Sequence, residues 1–227
     1  MCLDVPNAEL RREKQMHIHE LDPTGFLDTP ATWKRGVRVL GVSESFHRSD
    51  SYSIVAGIVM RGDMRIDGVS FCQPTVGGMD ATEKLVEMFE RLGRDDIRAW
   101  MLGGCIISWF NVVNSVRLYE RTGVPVVCVS YHPSEGIEKY LQEYFPQDWK
   151  VRYDSMDTSG IRKEFTLETG HPVFITQAGI GFEDAKRLVN KFTLDGRVPE
   201  PIRVARIAAA AIRRDLSGKL PNDKQIR

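Results

Sequence analysis

Several residues in this chain are of types that do chemistry. Glu44 closes a short apolar run and stands beside Ser43, Ser45 and His47. A carboxylate at a strand end can move a proton, bind a cation or simply face water. Asp80 in "DATE" opens a helical pattern with Glu83 three residues on, the spacing of a capping box worth about 1 kcal/mol. The same carboxylate at a helix entry is also placed to contact a metal or a ligand. Gly103-Gly104 follow an apolar run and precede what reads as a helix start. A glycine pair there permits positive φ and close backbone approach, or exposes amides to a phosphate. Trp109 and Phe110 come next and are either core or a surface on which a base stacks. Arg203, Arg206 and Arg213 recur at near-helical spacing, with Arg197 just before. Such a stripe is a solvated face or a row of phosphate contacts. Cys105 and His132 form a thiol–imidazole pair only if a third group orients them, and none is visible.

The elements that must position these residues follow from periodicity. "VRVLGVS", "SYSIVAGIVMRG" and "MRIDGVSFCQP" are three β-branched, apolar runs, the last two joined by a tight turn around Arg61-Gly62-Asp63. "DATEKLVEMFERLG" then changes to helical period, with Leu85, Met88, Phe89 and Leu92 on one face and Gly93 as its stop. "IRAWML" is a fourth strand, "WFNVVNSVRLYERTG" a second helix, "VPVVCVS" a fifth strand without polar alternation, and "SEGIEKYLQEYF" a third helix. "KEFTLETGHPVFITQAG" predicts a hairpin turning at Gly170-His171, followed by helices over 181–192 and 199–216. Pro199 and Glu200 at the start of the last helix, and Arg213-Arg214 near its end, agree with helix polarity. The expected fold class is α/β, with three antiparallel strands and then α-linked parallel strands in one mixed sheet flanked by helices.

Residues 1–36 are polar and punctuated by proline and glycine, and are expected to be an extension; 37–216 form the domain and 217–227 a tail. A short helix around Ala8–Gln15 is expected in the extension. His17, His19 and Glu20 there are read as an ordinary peptide segment rather than a metal cluster. The 31 basic and 31 acidic residues balance, which removes the argument for a highly basic nucleic-acid binder but leaves room for a local stripe. Cys2, Cys72, Cys105 and Cys128 form no CxxC pair, so zinc-ribbon and thioredoxin-like readings have no support. A reducing cytoplasm fits such cysteines. No apolar segment reaches the roughly 18 residues of a membrane span, and the N-terminus has no apolar signal core.

"RVLGVSESF", "AWMLGGCIISWFN", "TGVPVVCVSYH" and "GRVPEPIRVARIAAAAIRR" together resemble endonuclease V. "GMDAT", "SWFNVVN" and "PEPIRVAR" resemble still more closely the uncharacterised, mainly archaeal endonuclease V-like family (domain of unknown function 99). The resemblance covers roughly residues 35–215 and implies a ribonuclease H-like fold. Nucleases of that fold hold Mg²⁺ with converging carboxylates. Carried over residue by residue, the first-strand acid falls on Ser43, the fourth-strand acid on Gly103 and the C-terminal ligand near Ile180. Tyr131 and His132 stand where a lysine is expected. Only Asp80, or Glu83 at an ambiguous offset, matches an acid. Glu44 adjoins Ser43 but points to the opposite face of a regular strand.

The resemblance therefore implies a nucleic-acid-binding protein, with DNA or RNA as partner, a degenerate metal site and no cofactor. Gly103, Gly104, Trp109, Arg203 and Arg206 would contact the nucleic acid. Two alternatives stand beside it. An active Mg²⁺-dependent endonuclease would need Glu44, Asp80 and Asp184 to converge as a rearranged set. A protein-interaction or small-ligand module would need a pocket around Gly103, Gly104 and Trp109 without a basic rim.

Overall fold

The computed structural model describes residues 33–132, 136–157 and 161–216. The expected helix at Ala8–Gln15, the His17–Glu20 segment, Cys2 and the tail 217–227 lie outside the described residues.

Nine strands and six helices are described: β1 (Arg38–Ser45), β2 (Ile54–Arg61), β3 (Ile66–Cys72), α1 (Ala81–Leu92), β4 (Ile97–Leu102), β5 (Ile106–Ile107), β6 (Asn111–Val112), α2 (Ser115–Thr122), β7 (Val126–Ser130), α3 (Ile137–Tyr144), α4 (Trp149–Asp157), β8 (Lys163–Thr166), β9 (Pro172–Ala178), α5 (Phe182–Lys191) and α6 (Glu200–Leu216). Seven strands make one sheet in the order β3-β2-β1-β4-β7-β9-β8. β1, β4 and β7 are parallel, and the remaining pairs are antiparallel. Parallel pairing brings the carboxyl ends of β1, β4 and β7 to one edge, where ligands of open α/β sheets bind.

Both faces of the sheet are covered. Val39, Met101, Val127 and Ile175 pack with Ile202, Ala205 and Ala209 of α6 and Leu188 of α5 on one side. Leu40, Val42, Trp100 and Val126 pack with Leu85 and Met88 of α1 and Leu118 of α2 on the other. Coverage on both sides explains why the central strands lack polar alternation. Gly41 allows α6 to lie against β1: a Cβ there would overlap the side chain and backbone of Pro201. Trp100 is wholly buried beside Phe89, ring centroids 5.4 Å apart. Among the described residues, no helix is long and apolar enough to cross a membrane.

Two expectations are corrected. The second helix does not begin at Trp109 but at Ser115, because Asn114 is its N-cap and accepts from Arg117 N at 2.9 Å. The stretch before it forms the β5–β6 hairpin instead, with Ser108, Trp109 and Phe110 all in the left-handed region (φ 48°, 57° and 62°). Second, α4 is not among the expected elements. Its apolar residues do not share a face, and Val151 points away to solvent.

Candidate functional site

Strand alternation divides the end of β1. Ser43 follows Gly41 toward α6, while Glu44 follows Leu40 and Val42 toward the α1 side. Both line a cavity of about 240 Å³, together with Gly103 from the end of β4, Tyr131 beyond β7, and Ile202 and Arg206 of α6. Glu44 Oε2 accepts from the Ser108 backbone N–H, and from Ser108 Oγ at 3.1 Å. Burial pushes its carboxyl up to about 7, and the two Ser108 hydrogen bonds only partly oppose this. Ser108 Oγ also meets Ser53 Oγ.

Asp80 stands at the N-cap position of α1, but its side chain makes no cap bond to the helix. It accepts instead from Thr75 N at 3.1 Å, Thr75 Oγ1 at 2.9 Å and Asn111 Nδ2 at 2.7 Å. Asn111 Oδ1 accepts from the Ala81 N–H, the first amide of the helix, and Glu83 pairs with Arg117 and Arg121 of α2. The capping-box expectation fails because both of its acids are engaged elsewhere, Asp80 by Thr75 and Asn111 and Glu83 by the α2 arginines. Burial raises the Asp80 pKa, but bonds from Asn111 and Thr75 outweigh it and hold the group below its ordinary value.

The structure does not assemble the rearranged metal set. Asp184 lies in the first turn of α5 and pairs with Arg187. Among the described residues, no three His, Cys, Asp or Glu side chains are grouped so that they could hold a metal ion. Mg²⁺ needs oxygen ligands in near-octahedral array. Here burial disfavours the charged form of Glu44, and both Asp80 oxygens accept hydrogen bonds from Thr75 and Asn111. The residues present do not fit the ion. The positions where the endonuclease V resemblance places acids are nonetheless neighbours: a Cβ at Gly103 would lie 3.8 Å from Ser43 Oγ and 3.2 Å from Ile202 Cγ2.

Of the glycine pair, only Gly104 needs its flexibility, with φ at 106°. The helix-amide account of the pair lapses because a hairpin, not a helix, follows. Gly103 and Gly104 also line a second cavity of about 510 Å³ with Cys105, Ser130, His132 and Arg162. Cys105 hydrogen-bonds Cys128, whose buried thiol is pushed well up by that bond and by desolvation, so the Cys105–His132 pair gains no support. The arginine stripe is divided. Arg203 is held by Glu200, Nε to Oε1 at 2.8 Å. Arg206 lines the first cavity, Arg213 Nε donates to Ser45 Oγ at 2.9 Å, and the Arg197 guanidinium lies 5.6 Å from the Tyr131 ring centroid. Tyr131 Oη is buried without a hydrogen-bond partner among the described residues, and desolvation pushes its pKa upward against the nearby Arg206 and Arg197.

Trp109 does not open a helix. It sits at the hairpin tip against Tyr144 and Phe145 of the α3 end, centroids 5.8 and 5.2 Å away. Beneath it, buried Arg152 donates to the carbonyls of Gly77, Gly78 and Phe110 and pairs with Asp148. Sequence reasoning missed Ser108, Asn111 and Arg152. The one available signal was polar residues interrupting an apolar run at Ser108 and Asn111.

Comparison with known proteins accords with this geometry. A family model described as endonuclease dU matches residues 35–213. A UPF0215 protein of Pyrobaculum calidifontis is 36% identical over 179 residues, covering 78% of this chain and 98% of the relative. The crystal structure of a protein of unknown function from Archaeoglobus fulgidus superposes with a TM-score of 0.68 at 29% identity, over 77% of this chain and 97% of that one. Ciona intestinalis endonuclease V, solved with a 24mer DNA containing an inosine followed by a ribo-adenosine, gives 0.54 at 15% identity over 80% and 88%. That likeness establishes the ribonuclease H-like fold. With most of its length matched by the family and by an archaeal relative, the chain belongs to the endonuclease dU family.

Proposed function

We propose that the chain is a cytoplasmic nucleic-acid-binding protein that takes a deoxyuridine nucleotide into the cleft at the carboxyl ends of β1, β4 and β7. The observation that carries this reading is the cavity itself. It lies at the sheet edge where related folds bind their ligands. It is rimmed by Arg206 and floored by a carboxyl and a phenol, Glu44 and Tyr131, whose hydrogen-bonding atoms are shielded from water. A base that offers both donors and acceptors suits such groups, and a neighbouring phosphate suits Arg206. The family description supplies the deoxyuridine, and the DNA-bound fold neighbour supplies the class of polymer. The three described cysteines are free, as a reducing cytoplasm keeps them.

A second reading, strand cleavage, is favoured by one observation. Glu44 titrates near neutrality, where a carboxyl can both accept and return a proton. Because Ser108 engages Oε2, the proton of the neutral form falls to Oε1.

Labelled single strands carrying one deoxyuridine or one thymidine separate these readings. Binding followed by fluorescence anisotropy, and products followed on a denaturing gel, are each run with Mg²⁺ and with EDTA. The expected result is tighter binding of the deoxyuridine strand, unchanged by EDTA. Equal affinity for the two strands refutes the nucleotide assignment. Cleavage that disappears in EDTA refutes the non-metal reading of the cleft.

A further inference from the structure

The hairpin beside the cleft is strained, yet it is held from every side. Ser108, Trp109 and Phe110 adopt left-handed φ in succession, a conformation that is unfavourable for each non-glycine residue. Glu44 and Ser53 fix Ser108 from one side. Ser108 O accepts from Gly77 N at 2.7 Å, Asn111 is tied to Asp80, and Arg152 holds Phe110 O at 3.0 Å. Strain that persists under such restraint points to a tip that must be presented in one orientation.

What the tip presents is an aromatic wall with a cation on it. The Trp109 and Phe110 ring centroids lie 6.5 Å apart, and each is 5.2–6.1 Å from those of Tyr144 and Phe145. The exposed Arg48, from the β1–β2 connection, places its guanidinium 5.7 Å from the Trp109 ring centre and 5.6 Å from that of Tyr144. Tyr144 is 37% exposed and Met79, next to the Gly77-Gly78 turn, is 51% exposed. Trp109 Nε1 is a buried donor with no partner among the described residues, which wants an acceptor oxygen.

We infer that Arg48, Trp109 and Tyr144 form a stacking subsite for an unpaired nucleotide flanking the one in the cleft. Aromatic faces accept any base, and a cation beside them accepts the backbone phosphate. The subsite is coupled to the cleft through the Glu44–Ser108 bonds, so it rests on the nucleic-acid reading above. It adds the claim that the strand runs single-stranded across the hairpin tip.

The test uses the full chain and a labelled single strand of roughly ten nucleotides with one central deoxyuridine. Arg48→Ala with Tyr144→Ala is expected to weaken binding about tenfold while the protein still melts cooperatively. Replacing the nucleotides that flank deoxyuridine by abasic sites is expected to weaken the wild-type protein similarly and the double variant little. Strand binding should quench tryptophan emission, and Trp109→Phe, which keeps the packing, should abolish that quench. If wild-type protein binds no strand, both readings fall. If it prefers deoxyuridine but neither the double variant nor the abasic strand changes affinity, the stacking subsite alone is overturned.

Discussion

Replacing Glu44 by glutamine removes one titration from the native state and little else. The glutamine amide keeps an acceptor for the Ser108 N–H and Oγ–H, and it has the size of the neutral carboxyl. In the wild type, burial moves the carboxyl from 4.5 to about 7. Between those values the folded state holds more protons than the unfolded state. This contribution is therefore fully present below pH 4.5, is lost as pH rises through the window, and changes no further above the folded value. One pKa unit corresponds to about 1.36 kcal/mol. Taken from about pH 5 to about pH 8, the separation integrates to about 2.5 kcal/mol, or about 2 kcal/mol once the partial exposure of the side chain is allowed for. Urea denaturation of both proteins across that range should show the wild type losing about 2 kcal/mol relative to E44Q. Parallel curves would mean that Glu44 is ionised in the folded protein, and the account of the cavity floor would fail with it.

Asp80→Asn presents an amide to the Thr75 and Asn111 donors and should cost about 2 kcal/mol near neutral pH. Because the folded Asp80 pKa is lowered, the deficit in urea titrations should shrink as pH falls through that lowered value. Arg152→Met strands the Gly77, Gly78 and Phe110 carbonyls and leaves Asp148 unpaired; a loss of about 3 kcal/mol is expected in the same assay. Ser43→Asp with Gly103→Asp would line the first cavity with three carboxylates, counting Glu44. Calorimetric titration should then detect tighter Mg²⁺ binding than in the wild type, provided Ile202 gives way by a few tenths of an ångström. Failure of the variant to bind Mg²⁺ would show that these two positions do not face a common ligand.

The central strands β2, β4 and β7 were legible because each is a nearly uninterrupted apolar run, and α1, α5 and α6 because each has one apolar face closed by a recognisable end. Gly93 at φ 58° ends α1 as its position implied. The region from Ser108 to Asn114 misleads because Trp109, Phe110, Val112 and Val113 imitate a helical face. What decides that stretch is tertiary: Asn111 bonds Thr75, Asp80 and Ala81, residues distant in sequence. Asn114 did carry the local signal, being a capping residue before a polar turn. Arg152 was illegible for a related reason. A buried arginine that ties three loop carbonyls has no periodicity, and its helix shows no single apolar side.

A shift of the acid by one residue along β1 changes its partners. An acid at Ser43 would look toward Gly103 and α6, where a second acid could join it. Glu44 looks the other way, toward the hairpin, and finds Ser108. Asp80 finds the same hairpin through Asn111. Both carboxyls thus hold the strained segment that carries Trp109, Glu44 through Ser108 and Asp80 through Asn111. Truncating either one to alanine, which removes the acceptor as well as the charge, should therefore disturb the aromatic surface, which tryptophan emission can follow. At this sheet edge the two carboxyls therefore meet the β5–β6 turn through hydrogen bonds from Ser108 and Asn111.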